Sequence, residues 1–308
     1  MEQKQPVIAI VGPTASGKTA LSIALAKKMS GEIVSADSMQ IYKGIEIASA
    51  APTDSEMSEV PHHLVRFADV SRRFSVAEYV GMASKAIEDI GKRDRMPIVT
   101  GGTGLYIDSL LSGISFGGED DPAVRKRLED EAEMFGTGHM LEQLRSVDAK
   151  TAERLHVNDK KRIIRALEVY YTHGITLTEQ NELSRSGGSP YSVLWIGLNY
   201  RDRQKLYERI EKRIDLMIEN GLLKEAENAY EHSGKTAVQA IGHKEFFPFF
   251  EGKESLESAV VRLKTETRRY AKRQITWFKR NSEINWIYAD ETDDAVAAAF
   301  EIAKDFVR

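Results

Sequence analysis

Cysteine is absent from this chain of 308 residues. Disulfide bonds, a thiolate nucleophile and a cysteine-based zinc site are therefore excluded. The chain also lacks any stretch near the roughly 20 apolar residues that a membrane-spanning helix needs, so we expect no membrane partner. The N-terminus enters a first apolar run within a few residues, which leaves no room for a secretory signal peptide. These absences make a cytoplasmic location the expectation.

An overall positive charge is also missing. Lysine and arginine number 43 against 47 aspartate and glutamate, which gives a formal net charge of −4. A uniformly basic surface is therefore excluded, but the distribution matters more than the sum. Residues 261–280 carry eight basic side chains against one acidic side chain, Glu266. This run indicates either a solvated helix face or a surface for a phosphate-rich polymer.

Glycine occurs where it is most informative, in the segment 12–19, which follows the apolar run 6–11. A strand, a glycine loop and a helix start in this order form a P-loop, which binds phosphate through backbone N–H groups and a helix N-terminus. Lys18 is expected to reach the terminal phosphate, and the Thr19 hydroxyl to join a Mg²⁺ shell. The predicted diphosphate-binding residues are Gly12, Pro13, Thr14, Ala15, Ser16, Gly17, Lys18 and Thr19. The motif does not specify ATP.

Short apolar runs alternate with helical stretches in the first part of the chain, which predicts parallel β/α units. Strands are predicted at Val7–Val11, Glu32–Ser35 and Pro97–Thr100, and each ends in a polar or glycine segment. Such segments meet at the carboxyl ends of the strands in a doubly wound sheet. We therefore predict an α/β fold with a P-loop NTPase-like parallel sheet core flanked by helices.

The pattern becomes helical after about residue 117. Helices are predicted at 123–135, 140–145, 149–155 and 158–172, and a flexible connection follows at 184–190. The sequence therefore predicts a smaller all-helical insertion domain at 118–188, within a core formed by 1–117 and 189–308. Further elements of the core are predicted as a strand at 191–198, helices at 203–220 and 256–280, a strand at 284–288 and a helix near 293–307.

Asp37 directly follows the second predicted strand, a place that lies beside the phosphate cradle in P-loop folds. Its carboxylate is suited to binding Mg²⁺ through water, to accepting a proton from a nucleophile, or to capping the next helix. Ser38 and Gln40 follow it with hydroxyl and amide groups that suit the edge of a base. The adjacent pair His62 and His63 is interpreted as structural, because no acidic partner is evident and neighbouring side chains of a strand point apart.

The predicted strand at 97–100 ends in threonine and glycine, where an ATPase is expected to carry an acidic residue. The Thr103 hydroxyl can donate to a phosphate oxygen but cannot replace a metal-binding carboxylate. With the P-loop, this favours binding of a phosphorylated leaving group without nucleotide hydrolysis. A small-molecule P-loop kinase, with Asp37 taking a hydroxyl proton, is the alternative, and an RNA-binding protein without catalysis is a second one.

The chain resembles the MiaA-type tRNA dimethylallyltransferases, a family of tRNA isopentenyltransferases. The matching blocks lie, in order, at 12–19, 37–42, 62–64, 100–106, 158–168, 239–245 and 267–278. The resemblance implies transfer of a dimethylallyl group from dimethylallyl diphosphate to the 6-amino group of the adenosine just 3′ of the anticodon. The tRNAs concerned read codons that begin with U, and diphosphate is released. The implied cofactor is Mg²⁺, the implied partner is the anticodon stem-loop, and we expect a monomer.

Roles for single residues follow from the same resemblance. Asp37 would be the general base on the amino group, and Lys18 and the P-loop would stabilise the departing diphosphate. Thr103 would contact the oxygen that bridges carbon and phosphorus. Arg209 and Arg213 are both candidates for completing the diphosphate clamp.

The resemblance and the basic run together give a set of expected tRNA contacts. These contacts are Asp37, Ser38, Met39, Gln40, Thr103, Lys126, Lys161, Arg162, Ile163, Ile164, Arg165, Gln239, Gly242, His243, Arg268 and Arg269. His243 stands where the family usually has tyrosine, so stacking on a base there would use the imidazole ring. The segment 48–52 lacks a lysine that the family commonly carries, which affects local RNA contacts and not the diphosphate site.

Overall fold

The structure is a computed structural model that describes residues 4–114, 121–185, 188–232 and 240–306. Within these residues the strands are β1 (Gln5–Val11), β2 (Gly31–Ser35), β3 (His62–His63), β4 (Met96–Gly101), β5 (Tyr191–Asn199) and β6 (Asn285–Tyr288). They form one sheet in the order β3-β2-β4-β1-β5-β6, and every neighbouring pair is parallel. The predicted α/β fold with a P-loop-type parallel sheet is confirmed.

The helices of the described residues lie between these strands and after the last one. They are α1 (Lys18–Lys28), α2 (Glu46–Ser49), α3 (Asp54–Glu59), α4 (Val76–Lys92), α5 (Gly104–Leu111), α6 (Pro122–Val147), α7 (Ala149–Ala152), α8 (Lys160–His173), α9 (Leu177–Arg185), α10 (Arg203–Glu219), α11 (Leu222–His232), α12 (Phe247–Phe250), α13 (Leu256–Phe278) and α14 (Ala295–Lys304). A short 3₁₀ helix spans Lys244–Phe246. None of the described helices is both long and apolar enough to cross a membrane.

Both faces of the sheet are buried, as parallel strands require. Val7, Ala9 and Val11 of β1 pack on one face with side chains of α4 and α5. Ile8 and Ile10 pack on the other face with α1 and α14. The alternation explains why β1 reads as a continuous apolar run in the sequence.

The strand order brings three predicted segments together. Because β4 lies between β1 and β2, the P-loop, the segment after β2 and the glycine segment after β4 share one edge of the sheet. Glycine permits the close approach at this edge: a Cβ atom on Gly101 would lie 2.2 Å from the Ala36 carbonyl oxygen. A Cβ atom on Gly12 would lie 2.2 Å from the Leu198 carbonyl oxygen.

The chain divides into two compact units, one formed by 1–111 with 190–308 and the other by 112–189. The described part of the second unit consists of α6 to α9, and Leu128, Leu144 and Ile163 lie in its core. The predicted boundary at 117/118 falls outside the described residues. The contact of the predicted domain 118–188 with tRNA stays a prediction.

Several elements differ from the sequence-based expectation. The helices predicted at 123–135 and 140–145 agree with the two halves of α6, which Gly136 separates through its non-helical angles of φ 82° and ψ 160°. The two residues of β3 are too few to give a periodic signal, and they join the sheet through β2. The sequence reasoning missed the helices α9 and α11, although Leu222, Ala226 and Ala229 of α11 recur with helical spacing and are buried.

Candidate active site

A cavity of about 290 Å³ lies at the carboxyl ends of β1, β2 and β4. This edge is where ligands bind in doubly wound sheets. Its polar part is formed by the P-loop, the segment after β2 and Arg213 of α10. Its apolar part is formed by one face of α10 and one face of α13, which contribute Ile210, Ile214 and Leu263.

The P-loop leaves donors available for an anion. Gly17 stands at the N-terminus of α1 with φ 101°, and no side chain caps that helix end. The Ser16 hydroxyl is buried without a hydrogen-bond partner among the described residues. Uncapped helix N–H groups beside a buried hydroxyl form the type of site that binds phosphate.

Two cations lie at this cradle. Lys18 Nζ donates to the Pro13 carbonyl oxygen at 2.7 Å, and Arg213 Nη1 donates to Thr14 Oγ1 at 3.1 Å. Burial and, to a smaller extent, the nearby Arg213 lower the pKa of Lys18 to about 7, whereas Asp37 acts in the opposite direction. Burial also lowers the pKa of Arg213, again opposed by Asp37. Two desolvated cations this close favour an anionic ligand.

The two candidate clamp arginines occupy different places. Arg213 lines the cavity. Arg209 is exposed, donates from Nε to the Ala15 carbonyl oxygen at 3.0 Å and lies over the Tyr200 ring. Arg209 therefore supports the outer side of the P-loop, while Arg213 is the arginine that faces the cavity.

Asp37 lines the same cavity as the cations. Its Oδ1 accepts from the Met39 backbone N–H at 2.9 Å, which closes a turn and caps no helix. Thr103 fastens this turn to the segment after β4, because its Oγ1 accepts from the Ser38 N–H at 3.0 Å and donates to Ser38 Oγ at 3.3 Å. In this structure Thr103 therefore holds the loop that carries the carboxylate.

Gln40 lines the cavity, but its amide is fully used within the protein. Its Oε1 accepts from Ser35 Oγ at 2.9 Å. Its Nε2 donates to the Ala50 carbonyl oxygen at 3.1 Å and to the Ser49 carbonyl oxygen at 3.4 Å. The amide predicted to read a base thus holds the end of α2 in this structure.

Gln274 is a site residue that the sequence reasoning missed. It is buried on α13, accepts from the Thr14 N–H at 2.8 Å and donates to the Gly102 carbonyl oxygen at 2.9 Å. One side chain therefore joins the P-loop to the glycine segment after β4. Its spacing four residues after Tyr270, which also lines the cavity, is the signal that places both on one helix face.

The residues present fit Mg²⁺ held mainly by phosphate. Among the described residues no group of three or more His, Cys, Asp or Glu side chains could hold a metal ion. The Thr19 hydroxyl and the Asp37 carboxylate are oxygen donors on the same cavity, and Mg²⁺ is commonly bound by one or two protein oxygens with substrate phosphates. His62 and His63 are engaged elsewhere, with the Val60 carbonyl oxygen and the Glu32 carboxylate, each at 2.8 Å.

Some expected tRNA contacts are not at the surface. His243 is fully buried, and Ile163 and Ile164 are buried in the core of the 112–189 unit. Their side chains fill protein cores in this structure, and their contact with RNA stays a prediction. Gly242 lines the cavity and packs closely against α2, because a Cβ atom there would lie 3.1 Å from the Ala48 Cβ atom. Gln239 lies outside the described residues.

Other expected contacts are accessible. Lys126, Lys161 and Arg162 are exposed on the 112–189 unit. Arg165 of the same unit is half-buried and lies 2.9 Å from the Glu168 carboxylate.

Comparison with known proteins decides the family. A model of the IPP transferase family matches residues 40–281, and a model of isopentenyl transferases matches residues 5–70. This chain belongs to the IPP transferase family. Membership confirms the family and the transferase class predicted from the motifs, and the kinase alternative is not favoured.

Similar relatives and solved structures cover nearly the whole chain. A protein named tRNA dimethylallyltransferase from Thermoanaerobacter sp. (strain X514) is 44% identical over 92% of each chain. The structure of a tRNA isopentenylpyrophosphate transferase from Bacillus halodurans is 37% identical, with a TM-score of 0.72, over 99% of this chain and 97% of that chain. A eukaryotic dimethylallyltransferase solved acting on tRNA is 30% identical, with a TM-score of 0.86, over 98% of this chain and 79% of that chain.

The positions of the two arginines predict unequal effects on diphosphate binding. Arg213→Gln should weaken binding of an alkyl diphosphate by roughly 10- to 100-fold, because a hydrogen bond to a charged group contributes about 1.5–3 kcal/mol. Arg209→Gln, the matched change one helical turn away, should leave affinity within about threefold, since exposed charges contribute little. Isothermal calorimetry measures both. Equal losses of diphosphate affinity in the two variants would contradict the assignment of Arg213, and not Arg209, to the diphosphate.

The low pKa of Lys18 predicts proton uptake on ligand binding. At about pH 8 the side chain is mostly neutral in the free protein, and a bound diphosphate restores its charge, so up to about one proton is consumed. Calorimetry of an alkyl diphosphate in two buffers of different ionisation enthalpy measures this number. Lys18→Met should abolish the uptake, and Lys27→Met, on the exposed side of α1, should retain it. Proton release by the wild-type protein would refute the prediction.

Proposed function

We propose that this chain transfers a dimethylallyl group from dimethylallyl diphosphate to the 6-amino group of the adenosine just 3′ of the anticodon, releasing diphosphate. The tRNAs are those that read codons beginning with U. The observation that carries the proposal is one cavity lined by both a cationic P-loop and the carboxylate of Asp37. The family of the chain and the names of its relatives support the same reaction.

The cationic end of the cavity suits the leaving group. Negative charge accumulates on the diphosphate as its bond to the allylic carbon breaks, and Lys18, Arg213 and the uncapped N-terminus of α1 are placed to stabilise it. Mg²⁺, with Thr19 among its ligands, would add charge neutralisation at the same oxygens. For Thr103 to take its expected role, its hydroxyl would have to stop donating to Ser38 Oγ and donate instead to the oxygen that bridges carbon and phosphorus.

The carboxylate suits the nucleophile. An exocyclic amino group of adenine is a weak nucleophile, since its lone pair is delocalised into the ring. Asp37 Oδ1 is fixed by the Met39 N–H, and among the described residues Oδ2 has no hydrogen-bond partner. That oxygen is available to accept the amino proton as the carbon–nitrogen bond forms, the role of a general base.

The adenine has to leave the anticodon-loop stack to reach this cavity, as in other enzymes that modify bases. Ser38 and Met39 line the cavity beside Asp37 and would contact the extruded base. For Gln40 to read the base edge, its amide would have to exchange the longer bond to the Ser49 carbonyl oxygen for the base and keep its bond to the Ala50 carbonyl oxygen.

The phosphate contacts of the tRNA are best assigned to the outer face of α13. Arg269, Lys272 and Arg273 are exposed there with helical spacing, and Arg280 is exposed just beyond the end of the helix. Arg268 is turned toward α10, where its Nη1 lies 2.9 Å from the Glu211 carboxylate. The basic run therefore presents a solvent-facing stripe, and such stripes bind phosphate without reading sequence. The expected monomeric state and cytoplasmic location stay predictions.

The decisive test of function is direct product analysis. The protein is incubated with an unmodified anticodon stem-loop RNA, Mg²⁺ and dimethylallyl diphosphate, and nucleosides are analysed by mass spectrometry. N6-dimethylallyladenosine at the predicted position is the expected product. Asp37→Asn should lower the rate by about 10²–10⁴ while stem-loop binding is largely retained, because the amide cannot accept the proton. Wild-type protein that forms no product, or an active Asp37→Asn variant, would overturn the proposal.

The two orientations of basic residues on α13 predict different salt behaviour. Neutralising Lys272 and Arg273 to glutamine should reduce the slope of log affinity against log salt by about 0.7–0.9 per lost phosphate contact. Arg268→Gln is the matched change on the same helix and should alter the slope little, because its charge already pairs with Glu211. Stem-loop binding measured across a salt series gives both slopes. An unchanged slope in the double variant would show that the stripe does not contact the phosphates of the RNA.

A further inference from the structure

One wall of the cavity is the single-turn helix α2 and the residue after it. Ala48, Ser49 and Ala50 line the cavity beside Asp37 and Gln40. A helix of one turn has little stability of its own. Its position must therefore be set by the groups that bond to it.

The start of α2 is held by a carboxylate from α11. Glu225 Oε2 accepts from the Ile47 N–H at 2.8 Å, and Oε1 accepts from the Ala48 N–H at 2.9 Å. His243 Nε2 lies 2.9 Å from the same Oε1, and its ring is fully buried. Hydrogen bonds to a carboxylate are among the stronger ones in proteins, so this arrangement fixes α2 firmly.

The other end of α2 is held by the catalytic segment. Gln40 Nε2 donates to the carbonyl oxygens of Ser49 and Ala50, and Gln40 itself lies three residues after Asp37. Gly242 packs closely against Ala48. If residue 242 carried a Cβ atom, that atom would lie only 3.1 Å from the Ala48 Cβ atom. Glu225 and His243 thus connect through α2 to Gln40 without lining the cavity themselves.

We propose that Glu225 and His243 are positioning residues for the transfer reaction, which hold α2 and through it Gln40 in register with the entering nucleobase. The inference rests on the proposed function. Among the described residues, no hydrogen bond or ion pair joins either residue to the P-loop, Lys18 or Arg213. Their loss should therefore reduce reaction with RNA and leave diphosphate binding in place.

The test compares three variants that keep side-chain size. Glu225→Gln replaces one acceptor oxygen by an NH₂ group facing a backbone donor, and His243→Phe removes the ring donor. Glu227→Gln is the matched control, because Glu227 lies exposed on the same helix. The measurements are kcat/KM for the stem-loop RNA, calorimetric affinity for dimethylallyl diphosphate, and the midpoint of thermal unfolding.

We expect Glu225→Gln to lower kcat/KM for the RNA by about 10- to 100-fold, since small misplacements of reacting groups have effects of this size. His243→Phe should reduce it in the same direction. Diphosphate affinity should stay within about twofold, and Glu227→Gln should behave as wild type.

Two results would overturn the inference. One is unchanged RNA kinetics in Glu225→Gln and His243→Phe. The other is a parallel loss of diphosphate affinity, or failure to fold, in both variants, which would show a general structural role. Absence of product with the wild-type protein in the same assay would instead remove the proposed function.

Discussion

The candidate site depends on keeping one carboxylate beside two buried basic side chains without a direct ion pair between them. Among the described residues no salt bridge joins Asp37 to Lys18 or Arg213. Each group is instead held by an uncharged partner: the Met39 N–H, the Pro13 carbonyl oxygen and the Thr14 hydroxyl. The cations thereby stay available to an anion, and the carboxylate stays available to a proton. A tight ion pair between Asp37 and either basic side chain would neutralise both groups, so that neither could bind a ligand or accept a proton.

The fold maintains this separation by bringing rigid elements to one edge of the sheet. The order β2-β4-β1 places the three functional segments side by side, and the glycine at the end of β4 allows their backbones to touch. The helix α13 then spans the edge. Its buried Gln274 fastens the P-loop to the segment after β4, while its outer face carries the basic stripe. One helix thus serves the diphosphate subsite and the proposed RNA surface.

The sequence predicts the parts of this arrangement that are encoded locally. The P-loop and the position of Asp37 follow from short motifs at the ends of apolar runs, so the parallel sheet and the convergence of its loops are predictable. The choice between Arg209 and Arg213 is not, because the helical pattern puts both near the P-loop and only packing decides which one faces inward. The partners of Gln274 are separated from it in the chain by up to 260 residues, and those of Glu225 by up to 178 residues. No local pattern encodes such bonds. The burial of His243 is also not predictable from the sequence. An aromatic polar residue in a family motif indicates RNA contact, whereas in the structure its ring is buried beside Glu225.

The most direct test of the central claim is a crystal structure with a stem-loop RNA and an unreactive thio analogue of dimethylallyl diphosphate. We expect phosphate oxygens on the P-loop, Lys18 and Arg213, and an extruded adenine with its 6-amino nitrogen within about 3.2 Å of the Asp37 carboxylate. An adenine still stacked in its loop, or an Asp37 carboxylate paired with Lys18 or Arg213 and turned from the base, would contradict it.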